Sequence, residues 1–148
     1  MKISFSDLEY SNRRKMTKRD LFFNFMNDNL PWKQWIHIVQ PFYYNNSTGR
    51  KPRDIEIMLR MYLIQYWFQL SDEATEEAII DSNSMRRFVG IDFFDNQVPD
   101  STTLLRFRHT LENNNLHLII IANFEECLRN HQYFFKHGNI TDASIIHN

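Results

Sequence analysis

The sequence predicts a mainly α, compact multi-helix domain, and three observations predict it. The first is the run from about Asp54 to Gln69. There Ile55, Met58, Leu59, Tyr62, Leu63 and Tyr66 form one stripe at helical spacing, and Ile57, Met61, Ile64 and Phe68, beside Trp67, form a second. A helix apolar on most of its circumference is buried on most of it, so its neighbours must pack around it. Glu56, Arg60, Gln65 and Gln69 interrupt the coverage, and so short and charged a run excludes a membrane span. The second observation is punctuation: three Gly and four Pro in 148 residues leave little room for the tight turns of a β-fold. The third is supply, 43% hydrophobic and 15% aromatic, enough for a sizeable core.

In chain order, residues 1–16 read as a basic arm tacked down by Phe5, Leu8 and Tyr10 and ending in Asn12-Arg13-Arg14-Lys15. Thr17, with Asp20 three residues on, predicts a capped helix through about Asn27 whose apolar side is Leu21, Phe22, Phe25 and Met26. Lys18 and Arg19 stand in its first turn, where positive charge opposes the helix dipole, so helix stability does not account for them. Pro31 opens a second helix with Trp32, Trp35, Ile36 and Val39 as core, and Pro41 is expected to stop it. Asn45-Asn46-Ser47-Thr48-Gly49 reads as a loop. Arg50, Lys51 and Arg53 follow it around Pro52, and a basic loop carried by a rigid helix suits phosphate.

After the central helix, Ser71 is expected to cap a helix with Asp72 and Glu73 in its first turn and Ala78, Ile79 and Ile80 as apolar contacts. A short helix, Ser84 to Val89, turns Met85 and Phe88 inward and Arg86 and Arg87 outward, and Gly90 closes it as a left-handed cap. The pair makes a helix-turn-helix-like segment, a pattern shared with many helical hairpins that never meet DNA. Beyond the connector from Ile91 to Pro99, Asp100 caps a helix to about Asn114 with Leu104, Phe107 and Leu111 inward. A last helix, about Leu116 to Asn130, carries two stripes: Leu118, Ile121, Ala122 and Leu128, and Ile120, Phe124 and Cys127. The end then turns β-branched: Ile140 to Ile146 reads as one strand with Ile140, Asp142, Ser144 and Ile146 on one face, and nothing upstream offers a clear partner. The expected organisation is a helical domain over 1–137 and the first strand of another domain over 138–148.

Residues 1–60 hold 11 Lys/Arg against 6 Asp/Glu, and residues 61–148 hold 6 against 12. That asymmetry fits a first part facing an anionic partner, nucleic acid being the commonest, and it also fits an uneven solvated surface. The single Cys127 excludes an internal disulfide framework and suits a reducing cytoplasm. The polar N-terminus lacks the apolar core of a signal peptide, so a cytoplasmic protein without membrane contact is expected. His109, His117, His131, His137 and His147 are metal-ligand types, but only His131 stands four residues from Cys127, and one such pair does not make a metal site.

Certain residues, in order and spacing, carry a resemblance. They are Phe5-Ser6-Asp7-Leu8-Glu9-Tyr10, Pro31-Trp32, Pro41-Phe42-Tyr43 and Gly49-Arg50-Lys51-Pro52, then Met58-Leu59-Arg60, Gln65-Tyr66-Trp67 and Leu70-Ser71-Asp72. Glu77, Asp81, Arg86 and Phe88 continue the series. Pro99-Asp100-Ser101-Thr102-Thr103, Phe107-Arg108, Leu111-Glu112 and Thr141-Asp142-Ala143-Ser144-Ile145-Ile146 complete it. On these the sequence resembles bacterial insertion-sequence transposases of the DDE type, specifically the N-terminal portion of the insertion-sequence-five family. Arg53 departs from the family, where an aromatic or other bulky residue is common.

The resemblance implies a helical domain that helps hold terminal inverted repeats, followed by a ribonuclease-H-like α/β domain that begins with the strand at 138–148. It places the first catalytic and metal-binding carboxylate at Asp142. Such chemistry needs three converging carboxylates to hold two Mg²⁺ ions, one activating the attacking oxygen and one stabilising the leaving oxygen. The family's second Asp and its Glu do not occur within these 148 residues, so the chain alone is expected to bind DNA without cutting it and to need no cofactor. The expected DNA contacts are Arg13, Arg14, Lys15, Lys18, Arg19, Arg50, Lys51 and Arg53, with Arg86 or Arg87 reaching base edges. The alternative is a non-enzymatic module that forms a homodimer or pairs with intact transposase as an inhibitor, or the inert product of a decayed element.

Overall fold

The computed structural model describes residues 5, 7, 8, 15–43, 52–137 and 143–147. Among them are seven helices and two strands: α1 (Lys18–Asn29), α2 (Trp32–Tyr43), α3 (Ile55–Phe68), α4 (Asp72–Asp81), α5 (Asn83–Val89), α6 (Ser101–Asn113), α7 (Leu116–Asn130), β1 (Tyr133–Lys136) and β2 (Ser144–His147). The protein is mainly helical, as expected. Helix α3 is the post: ten of its fourteen residues are buried, and α2, α4, α5 and α6 pack around it. Outside that ring α7 lies on α6 and α2, and α1 lies on α5. No helix among the described residues is long and apolar enough to cross a membrane.

Local chemistry sets the boundaries. Thr17 and Asp20 form the capping box at the head of α1, and Asp54, Ser71, Ser82 and Asp100 each accept a backbone N–H at the head of the following helix. Gly90 ends α5 with φ +92°, a left-handed conformation that glycine adopts without a Cβ penalty. Gln69 does the same for α3 at φ 55°.

Four expectations need correction. Helix α2 runs through Pro41 to Tyr43. Proline forfeits only the bond to the His37 carbonyl, which lies on an exposed turn where water can serve it. In α1 the buried residues are Phe22, Phe23 and Met26, and Leu21 points to solvent. In α7 the buried row is Leu116, Ile120, Phe124 and Leu128, which leaves Leu118 and Ala122 exposed. The terminal strand does have a partner: β2 pairs antiparallel with β1, Phe134 opposite Ile146 and Phe135 opposite Ile145. The hairpin packs its inner face on the bundle, the Phe135 ring lying 5.2 Å from Phe124 and 5.7 Å from Phe22.

Candidate nucleic-acid interface

The start of α1 is locked onto the start of α5. Asp20, almost fully buried, accepts from the Thr17 backbone N–H (2.9 Å) through Oδ2 and from the Ser84 hydroxyl (2.7 Å) through Oδ1. Arg19 donates to the Ser82 hydroxyl at 3.4 Å and lays its guanidinium 5.6 Å from the centre of the Phe68 ring. Burial lowers the Arg19 pKa and the charge of Asp20 opposes that, but a group as basic as a guanidinium remains a cation. Lys15 and Lys18 stand exposed beside this junction. The junction therefore carries positive charge on a rigid base, together with hydroxyl groups from Ser82 and Ser84.

Helix α5 does not present two free arginines. Arg86 folds back and donates to the carbonyls of Ile79 and Ile80, the last turn of α4, where a cation suits the negative end of the helix dipole. Its guanidinium also lies 5.0 Å from the Phe93 ring. Arg87 donates from Nε to Asp7 at 3.2 Å. Both side chains are half-buried rather than fully outward.

Arg53 lies elsewhere. It donates to the Gln97 carbonyl, and its own carbonyl accepts from the Tyr43 hydroxyl at 2.6 Å, which joins the ends of α2 and the connector to the head of α3. Arg19 sits by Phe68 at the opposite end of α3, so about 20 Å of helix separates the two arginines, at 1.5 Å per residue. Arg13, Arg14, Arg50, Lys51 and Asp142 lie outside the described residues. Among the described residues no three His, Cys, Asp or Glu side chains gather as metal ligands. Cys127 and His131 meet only locally: the His131 Nδ1 lies 2.8 Å from the Cys127 carbonyl and 3.9 Å from its sulfur, and burial raises the thiol pKa.

Several residues that carry the family resemblance are engaged inside the fold. Arg60 is buried in the central helix, 4.1 Å from the Trp32 ring and 4.9 Å from the Phe88 ring. It donates to Glu56 (3.1 Å), to the Phe88 carbonyl (3.0 Å) and to Asn27 (2.9 Å), joining α1, α3 and α5, with α2 supplying the Trp32 ring. Burial lowers its pKa, and Glu56 opposes the shift. Arg108 grips Asp72 through both carboxylate oxygens at 3.0 and 2.9 Å, and Gln65 donates to the same carboxylate at 2.8 Å. Glu76 accepts from the Ser101 backbone N–H at 2.8 Å, tying α4 to the head of α6. Sequence reasoning read Arg60 as an interruption of an apolar surface. The signal that could have found it is a single Arg among apolar residues in a helix otherwise built for burial.

Residues 11–110 match the family model described as Transposase domain (DUF772). No solved structure matches the chain at a significant level.

Proposed function

Because the chain belongs to the transposase-domain family, we propose that it is the end-binding helical part of a DNA transposase of the DDE, insertion-sequence-five type. The observation that carries this reading is the match over residues 11–110, which spans the helical bundle from the basic arm to α6. In this reading Lys15, Lys18 and Arg19 contact phosphate at the junction of α1 and α5, and Arg13, Arg14, Arg50, Lys51 and Arg53 extend the contact. The partner is DNA carrying the element's terminal inverted repeats. The division into a helical domain over 1–137 and the opening strand of a catalytic domain over 138–148 belongs to the same proposal. So does the role of Asp142 as one of three carboxylates. With one of the three, residues 1–148 by themselves bind without cutting.

Binding measured by fluorescence anisotropy across a salt series tests it. Each phosphate-contacting cation adds about 0.9 to the slope of log affinity against log salt, so Lys15→Ala and Lys18→Ala should each flatten it by about one. A response already flat in the unaltered chain refutes the reading.

One observation supports a second reading, an interaction module that pairs with itself or with intact transposase. Leu118 (59% exposed), Ile119, Phe134 and Ile146 leave apolar side chains open on α7 and the outer hairpin face. Sedimentation with and without inverted-repeat DNA separates the two: a dimer that forms alone and ignores DNA favours the module.

A further inference from the structure

Asp7 and Phe5 make contacts some 80 residues further along the sequence, with Arg87 of α5 and with Phe94 just beyond it. Asp7 accepts from Arg87 Nε at 3.2 Å, and the Phe5 ring stacks on Phe94 with centroids 4.1 Å apart and planes at 21°. This contact is not core packing. Phe94 stays 70% exposed, and Phe5 and Leu8 stay about half exposed. The Asp7 and Arg87 side chains themselves are 46% and 26% exposed, so solvent and ions reach the pair. A carboxylate and a phosphate oxygen are alternative acceptors for the same guanidinium, with the same charge-assisted geometry. Arg87 also faces a polar cleft of about 140 Å³ lined by Asp20, Asn24, Asn27 and Ser84, next to the cationic junction described above.

We propose that the segment bearing Phe5, Asp7 and Leu8 is an internal competitor for nucleic acid. Asp7 occupies Arg87 in the free protein and gives it up to a phosphate when a duplex arrives, and the Phe5–Phe94 stack parts with it. The inference rests on the DNA-binding reading for its ligand, but the docked segment is a property of the free protein. Each half of the contact is weak by itself, as a displaceable latch requires. A part-exposed ion pair accounts for a factor of about two to five, and an aromatic stack for a comparable factor of about two to ten.

Two measurements on the full chain test it. In the first, binding of a short random-sequence duplex is compared among Asp7→Asn, Phe5→Ala, Arg87→Ala and Glu77→Gln, the last removing an equal charge from the exposed face of α4. Asp7→Asn should tighten binding about two- to five-fold, more than Glu77→Gln does, and the gain should vanish in an Arg87→Ala background. Equal effects of Asp7→Asn and Glu77→Gln, or a gain that persists without Arg87, overturn the proposal. In the second, hydrogen exchange at residues 5, 7 and 8 should be slowed in the free chain, should speed up in Asp7→Asn, and should speed up on adding duplex. Exchange unaffected by Asp7→Asn overturns the latch whatever the DNA result. Protection that Asp7→Asn relieves in a chain that binds no duplex upholds the contact but overturns both its competitive role and the DNA-binding reading.

Discussion

Replacing Arg60 should be among the most damaging single changes in the protein, and the structure gives the size. Arg60→Ala removes the guanidinium of a residue only 7% exposed, leaves the Phe88 carbonyl and the Asn27 side chain without that donor, and opens a gap between the Trp32 and Phe88 rings. Hydrogen bonds from a charged donor contribute about 1.5–3 kcal/mol each, and a desolvated cation–π contact about 2 kcal/mol. These terms share one side chain and do not add in full, so the expected loss is about 3–5 kcal/mol. Removing only the partly exposed partner, by Glu56→Gln, should cost about 0–1 kcal/mol, because the Glu56 side chain is 43% exposed. Arg60→Met keeps apolar volume but leaves buried acceptors unsatisfied, at about 1–3 kcal/mol. Arg60→Lys should also destabilise, since an ammonium cannot reproduce the guanidinium's planar fork of donors. Urea unfolding followed by far-UV circular dichroism reads all four as shifts in midpoint at constant slope. If Arg60→Met is as stable as the unaltered chain and Arg60→Ala no worse than Glu56→Gln, the guanidinium does not hold these helices together.

Three smaller effects follow from other sites. Gly90→Ala meets no atom within 4 Å yet must hold φ +92°, so it should cost about 1 kcal/mol in the same unfolding assay, and Gly90→Asn less. Burial alone would raise the Asp72 carboxyl, but the hydrogen bonds from Gln65 and Arg108 and the Arg108 charge outweigh it and bring its pKa below the ordinary value. Its stabilisation is therefore present above the unfolded value near 3.9 and lost as pH falls through the lower folded value, so thermal melts of Asp72→Asn should show a shallower acid limb than the unaltered chain. Burial, seconded by Glu112, pushes the Tyr62 phenol up to about 12. Its contribution is fully present below the unfolded value near 10 and lost as pH rises through about 12, so Tyr62→Phe should flatten the alkaline limb of the same melts.

What could be read in advance was what depends on neighbours three or four residues apart. The stripes of α3, the Thr17–Asp20 box, the Ser71 and Asp100 caps and the Gly90 stop are all local. Features set by distant chain were not visible. Leu21, Phe22 and Phe23 are consecutive and apolar, so the phase of a short helix is ambiguous until α3 and α5 choose Phe22 and Phe23. Tyr133-Phe134-Phe135-Lys136 is only four residues long, too short to show a period, and sequence reasoning gave it no element. On the candidate interface, period placed Arg86 and Arg87 outward, but a long flexible side chain reaches back. Arg86 finds carbonyls of the preceding helix, and Arg87 finds a carboxylate 80 positions away. Lys15 and Lys18 do face water.

Ser82 is the whole of the joint between α4 and α5. Its N–H closes the first helix on Ala78, and its carbonyl and hydroxyl open the second. A joint with no slack turns length into angle: one residue inserted there would rotate everything after it by about 100° about the α5 axis, at 3.6 residues per turn. Met85 and Phe88 would swing off the core, and Arg86 would lose its carbonyls, so this elbow tolerates changes of letter far better than changes of count.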